Sequence, residues 1–195
     1  HTTTAKQNNI PEVIADRYQV QQPLGEGGMA VVYEVVDTVT DKTMALKQLQ
    51  VQQDQKKQIG RASLFEHEYH ILVQLAHPRI IEVYDYGVDQ TGPYYTMELL
   101  PGGDLREKSP LPWKEACSIL RDVCSALALI HSRRLIHRDL SPRNIRCTSD
   151  GAAKLIDFGA MTTMGLPRDK VGTPTFMSPE VVYGQPLDQR SDLYS

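Results

Sequence analysis

The N-terminal half of the chain reads mainly as strands. Residues 1–16 are polar and aperiodic and read as a leader, which puts the first domain boundary after residue 17. Segments 18–24, 31–36 and 43–49 are rich in β-branched and aromatic residues. The glycine cluster at 25–28 and the Thr40-Asp41 turn separate them, which predicts an antiparallel meander. A Gln/Lys-rich stretch at 52–58 follows, and then a helix. Ser63-Leu64-Phe65-Glu66 has the form of a capping box and predicts the helix start there. Leu64, Phe65, Glu68, Ile71, Leu72 and Leu75 recur at helical spacing, which sets one acid, Glu68, on an apolar stripe.

Segments 80–86 and 94–99 predict two more strands, hinged at 89–93. Pro101-Gly102-Gly103 breaks the pattern and marks a boundary between 18–100 and 101–195. Pro112 suits a first helical turn and opens a helix to about Ser132, with a stripe of Ala116, Ile119, Leu120, Val123, Leu127 and Ile130. Trp113 is expected to pack at its start. Short strands at 145–148 and 153–156 flank the Ser149-Asp150-Gly151 turn, and 159–179 predicts a long ordered loop. There are no internal repeats.

Composition narrows the classes. The 195 residues carry a net charge of -3, with 41% hydrophobic and 23% charged residues. This balance fits a globular chain and argues against a general nucleic-acid or polybasic membrane binder. No apolar run reaches the length of a membrane span, and the first residues lack a signal-peptide core, so a cytoplasmic protein is expected. A start at His1 instead of Met suggests a processed end. Cys117 and Cys124 lie on one predicted helix about 10.5 Å apart, too far for a disulfide, and no Cys pair has zinc spacing. Reduced structural cysteines follow.

Gly25-Glu26-Gly27-Gly28-Met29-Ala30 fits G-x-G-x-x-G/A. A dinucleotide-binding loop would run from strand to helix, but here the following Val31-Val32-Tyr33 continues as a strand. No G-x-x-x-x-G-K-[ST] loop is present. A glycine-rich strand–loop–strand lid over phosphates remains, beside the plainer reading of a flexible hairpin.

Five motifs then occur in order. Met44-Ala45-Leu46-Lys47 follows on the third strand, and Glu68 lies on the next helix. His137-Arg138-Asp139-Leu140-Ser141-Pro142-Arg143-Asn144, Asp157-Phe158-Gly159 and Ser178-Pro179-Glu180 come after. Together with the glycine loop this set resembles the catalytic core of a eukaryotic-like Ser/Thr protein kinase, similar to bacterial members, over residues 18–195. The resemblance implies an α+β, protein-kinase-like fold with an antiparallel-sheet N-lobe over 18–100 and a mainly helical C-lobe over 101–195. It also implies ATP and Mg²⁺ as cofactors and proteins as substrates.

By the same resemblance, Gly25, Glu26, Gly27 and Gly28 would cover the phosphates, and Lys47 would neutralise them while paired to Glu68. Val32 and Ala45 match the roof over adenine. Met97, Glu98 and Leu100 match the segment that bonds its edge, and Asp104 lies near the ribose. Asn144 and Asp157 would hold Mg²⁺, and both are hard oxygen ligands. Asp139 would take or orient the proton of the acceptor hydroxyl. His137 would pack with Leu72, Val83 and Phe158 instead of reacting. Plainer readings stand beside these: a solvated strand lysine for Lys47, a tolerated helix acid for Glu68, a strand-ending turn for Asp157-Phe158-Gly159. An acid on an apolar stripe nonetheless wants a cation. His67 and His70, spaced i, i+3, lack a third metal ligand and read as surface histidines.

Three positions depart from the family pattern. Ser141 stands where Ser/Thr kinases usually carry Lys, and Arg143 is expected to supply the missing charge. Arg146 replaces an apolar residue under adenine, and either lays its stem beneath the ring or fills the slot. Asp169 stands three before Gly172, where a phosphorylated Thr is common, and is expected to act as a built-in acid toward Arg138. Thr173 is expected to bond within the catalytic site.

The last residues, 190–195, resemble the opening turn of the helix that anchors the catalytic loop in the family. The resemblance therefore implies an incomplete C-lobe, an exposed face open to association, and a new partner for Glu180. Two other readings remain: a pseudokinase scaffold, which Ser141 and Arg146 favour, and a small-molecule phosphotransferase of kinase-like fold.

Overall fold

The strand-rich half forms its sheet from runs of β-branched and aromatic residues, buried in alternation at Tyr33, Val35 and Asp37 and continuously at Tyr94, Tyr95 and Thr96. The computed structural model describes residues 10–27, 29–50, 55–166 and 171–195, and the chain divides into two compact units. Gly28 and Asp169 lie outside the described residues.

The first unit comprises residues 1–63 and 84–99. Its strands are β1 (Val13–Ile14), β2 (Tyr18–Glu26), β3 (Ala30–Asp37) and β4 (Lys42–Leu49). After helix α1 (Gln55–Gln74) come β5 (Val83–Asp89) and β6 (Gly92–Met97). The sheet order is β1-β2-β3-β4-β6-β5, with antiparallel pairing from β1 through β6. Ile14, Tyr18, Tyr33, Val35, Met44, Leu46 and Tyr94 form its core. At one end, Arg17 binds both carboxylate oxygens of buried Asp37, at 2.8 and 2.7 Å.

Several boundaries differ from the sequence reading, each for a physical reason. Part of the leader enters the sheet: Ile14 is fully buried and pairs with Tyr18, a strand too short to show a period. The capping box at Ser63 does not cap. Helix α1 begins two turns earlier, because the Gln/Lys stretch is made of good helix formers. Leu64 is accordingly exposed, while Phe65, Glu68 and Leu72 are buried. Ile80 and Ile81 leave the predicted strand. Ile80 bridges to Leu155, and the Ile81 N–H donates to the Leu155 carbonyl at 3.0 Å, tying them to the second unit.

The second unit holds residues 64–83 and 100–195. Its elements are α2 (Leu105–Lys108), α3 (Trp113–Ser132), the hairpin of β8 (Ile145–Cys147) and β9 (Ala153–Leu155), and β7 (Leu135–Ile136) paired with β10 (Thr162–Thr163). Two short helices follow, α4 (Pro179–Tyr183) and α5 (Gln189–Tyr194). On α3 the buried face is Ile119, Val123, Ala126, Leu127, Ile130 and one acid, Asp122. Asp122 accepts the Ala153 N–H at 3.1 Å and lies 3.3 Å from Arg79, so the acid fixes β9 on the helix. Leu120 and Trp113, expected to pack, are exposed. All three cysteines are free, and only Cys147 is buried. No helix among the described residues is long and apolar enough to cross a membrane.

Candidate active site

Strand register gathers one group of predicted residues on the first unit. Gly25 lies opposite Val32, and Val32 opposite Lys47, so the three share a row across β2, β3 and β4. Directly opposed residues point to the same sheet face, as do residues two apart. Ala45 therefore joins Lys47 on that face. The Lys47 amine lies 5.8 Å from the centre of the buried Tyr95 ring, its neighbour on β6. The hairpin is closed by the Gly27 N–H on the Ala30 carbonyl at 2.9 Å, and Glu26 accepts from the Gln50 amide at 2.7 Å. Glu98 is half-buried just past β6.

The second unit gathers the rest. Between β7 and β8 the chain runs through Asp139 into a 3-10 turn, Pro142–Asn144. The Asn144 amide donates to the Asp139 carbonyl at 2.8 Å and to Asp139 Oδ2 at 2.9 Å. Thr173 donates its backbone N–H to Asp139 Oδ1 at 2.8 Å and its hydroxyl to the same oxygen at 2.7 Å. The carboxylate is thus oriented from both sides. Ser141 is buried, and its hydroxyl has no hydrogen-bond partner, whereas Arg143 on the same turn is exposed.

Asp157 follows β9 in the left-handed region, at φ 62°, and Arg138, immediately before Asp139, has φ 70°. Such conformations cost about 1–3 kcal/mol each and persist only where the surroundings impose them. For Arg138 the imposing group is Asp192 on α5. Its fully buried carboxylate accepts the N–H groups of His137 and Arg138, each at 2.9 Å, and lies 2.8 Å from His131 Nε2. Burial alone would raise this acid. The bonds from His131 and the two N–H groups outweigh it and hold the pKa below the ordinary value.

Buried Glu68 accepts the Phe158 N–H at 3.3 Å, linking α1 to the Asp157-Phe158-Gly159 turn. The rings of Phe158 and His137 meet edge to face at 5.0 Å. Lys47 is carried by the first unit and Glu68 by the second. Leu100 and Asp104 are buried, and the Asp104 carboxylate caps α2 through the Glu107 N–H at 3.0 Å. The Asp104 backbone also forms an isolated antiparallel β-bridge with Arg146, which is half-buried on β8 and lies opposite Lys154 on β9. Glu180 finds its partner in Ser191, whose hydroxyl donates at 2.6 Å and helps hold the acid below its ordinary pKa.

Among the described residues no group of three or more His, Cys, Asp and Glu side chains is arranged to hold a metal. His70 lies 3.7 Å from Glu66 on the surface. The sequence reading gave the anchoring of the catalytic loop to a helix and missed Asp192. One acid in a short polar segment carries no local signal of burial.

A model of the protein kinase domain matches residues 18–195. The chain belongs to the protein kinase domain family. It is 36% identical over 198 residues to a probable serine/threonine-protein kinase of Corynebacterium efficiens, covering 94% of this chain and 30% of that protein. It is also 36% identical over 198 residues to the serine/threonine-protein kinase PksC of Streptomyces coelicolor, covering 92% of this chain and 35% of that protein. With PknL of Mycobacterium bovis the identity is 34% over 195 residues, covering 94% of this chain and 48% of that protein. The chain therefore spans less than half the length of each of these relatives.

Proposed function

We propose that the chain carries the catalytic core of a protein kinase that transfers the γ-phosphoryl group of ATP to Ser/Thr hydroxyls of proteins, with Mg²⁺. The orientation of Asp139 carries this reading. Thr173 fills both acceptor sites of Oδ1, and Asn144 takes one on Oδ2, which leaves Oδ2 one site for an acceptor hydroxyl. As the hydroxyl oxygen bonds to phosphorus and the bond to the departing diphosphate breaks, Oδ2 takes the proton.

The donor set also fits Mg²⁺. Asn144 uses its amide nitrogen on Asp139, which turns its oxygen away for a hard cation, and Asp157 is an exposed carboxylate. One carboxylate and one amide suit an ion that keeps several waters. Bound there, Mg²⁺ supplies charge neutralisation at the β- and γ-phosphates. In this reading Lys47, positioned by Glu68, holds the phosphates under Gly25, Glu26, Gly27 and Gly28. Val32, Ala45, Glu98 and Leu100 take the adenine, with the aliphatic stem of Arg146 beneath it, and Asp104 takes the ribose. Arg143 supplies the positive charge that buried Ser141 does not. Reliance on cellular ATP puts the reaction in the cytoplasm.

Ser141 also favours a second reading, nucleotide binding without turnover. Thermal melting with ATP, with and without Mg²⁺, tests the nucleotide site. A Mg²⁺-dependent rise lost in Asp157→Asn supports it, and no shift overturns it unless Arg146→Leu restores one. Phosphate transfer to protein Ser/Thr separates turnover from scaffolding. Transfer only to small molecules would overturn the protein-substrate reading.

A further inference from the structure

The surface next to Asp139 carries two cations, Arg106 and Lys108, beyond the Arg143 that the proposed reaction uses. The whole chain is net negative at -3. Yet α2 carries Arg106 and Lys108, and it packs on the 3-10 turn that bears Arg143 and on β8. That turn is fixed to Asp139 through Asn144, at 2.8 and 2.9 Å, so these cations stand on elements locked to the same carboxylate.

The neighbouring acids offset this charge only in part. Asp104 is buried and caps α2, and its carboxylate is 3.7 Å from Arg106, whose side chain remains 56% exposed. Glu107 is exposed and leans over Gly103, where an added Cβ would lie 2.9 Å from its Oε2. Arg106 and Arg143 are exposed and Lys108 is half-buried.

We propose that Arg106, Lys108 and Arg143 form a cationic shelf beside Asp139 that selects protein segments with Asp or Glu near the acceptor hydroxyl. The proposal rests on Asp139 as the residue that meets that hydroxyl. Residues two to four positions away in an extended peptide lie about 7–14 Å from the acceptor, which is the scale of one short helix and one turn. Guanidinium forks match carboxylates in geometry. Exposed pairs are individually weak and screened, so the shelf acts through several cations together and through steering.

The test is fluorescence anisotropy with three labelled peptides, identical except for acidic, neutral or basic residues flanking one Thr. The acidic peptide is expected to bind about tenfold more tightly than the neutral one at low salt. The double variant Arg106→Glu/Lys108→Glu should abolish or invert that order. Arg106→Gln/Lys108→Gln, which keeps the side chains near their original size, should reduce it. Equal binding of the three peptides, or an order unchanged in both variants, overturns the shelf. Phosphate transfer to the same peptides is scored separately. Acid-selective binding that depends on Arg106 and Lys108 but brings no transfer would uphold the shelf and overturn the kinase reading.

Discussion

Thr173 donates twice to one oxygen of Asp139, by its backbone N–H at 2.8 Å and its hydroxyl at 2.7 Å. The two bonds differ in what a substitution removes. Thr173→Ala deletes the hydroxyl bond and keeps the other, so the carboxylate can rotate away from Asn144. A hydrogen bond to a charged group is worth about 1.5–3 kcal/mol, which corresponds to a loss of about ten- to a hundredfold in kcat. Thr173→Ser, which keeps the hydroxyl, should recover most of it. Steady-state phosphorylation of a protein substrate checks both.

Gly172 is what lets Thr173 reach that oxygen. Its φ is 130°, and a Cβ there would lie 2.7 Å from the Arg138 carbonyl oxygen, a backbone atom that cannot swing aside. Gly172→Ala should therefore cost about 1–3 kcal/mol in urea unfolding. It should also lower kcat, because relieving the clash moves Thr173. Unchanged stability together with unchanged turnover would show that the loop has room the geometry does not suggest.

Much of this architecture was legible in the sequence, for reasons that differ by residue. Lys47, Asp139, Asn144 and Asp157 sit in motifs whose spacing is itself informative, and the meander follows from β-branched runs between turns. Glu68 was legible as an acid on an apolar stripe, and it is indeed buried, bonding the Phe158 N–H. The start of α1 was not, because Ser63 and Glu66 mimic a cap while the true start lies in polar residues of high helix propensity. Leu120 and Trp113 mislead because periodicity says which residues share a face and not whether that face is covered. Asp192 was invisible because its importance lies in two backbone N–H groups more than fifty positions away.

Asp192 is expected to be among the most sensitive positions for stability. Asp192→Ala leaves the N–H groups of His137 and Arg138 without an acceptor in a buried site, at about 1–3 kcal/mol each. It also releases Arg138 from its left-handed conformation. Asp192→Asn keeps one carbonyl oxygen but turns an amide donor toward a donor, so it should fall between wild type and alanine. Because its folded pKa is depressed, the stability that the charged form adds is complete above the ordinary aspartate value near 4. It is lost as pH falls through the lower folded value. Chemical denaturation at pH 7 and pH 3 should bring wild type and Asp192→Asn closer together at the acid end.

A second pH dependence lies higher, at His137. Its ring is fully buried against Phe158, and burial lowers its pKa from 6.5 despite the opposing charges of Asp192, Asp157 and Asp139. The folded chain keeps the ring neutral in a window where the unfolded chain takes up a proton. The unfolded state then binds more protons, so stability rises with pH below 6.5 and levels above it, with a slope of at most about 1.4 kcal/mol per pH unit. The upper part of this window, just below pH 6.5, lies above the carboxylate range near pH 4, and there the two can be resolved. His137→Phe keeps an aromatic ring for Phe158 to pack on and removes the titration. Urea unfolding at intervals between pH 5 and 7 should show the slope in wild type and its loss in the variant. A slope that survives the substitution would assign the proton to another group.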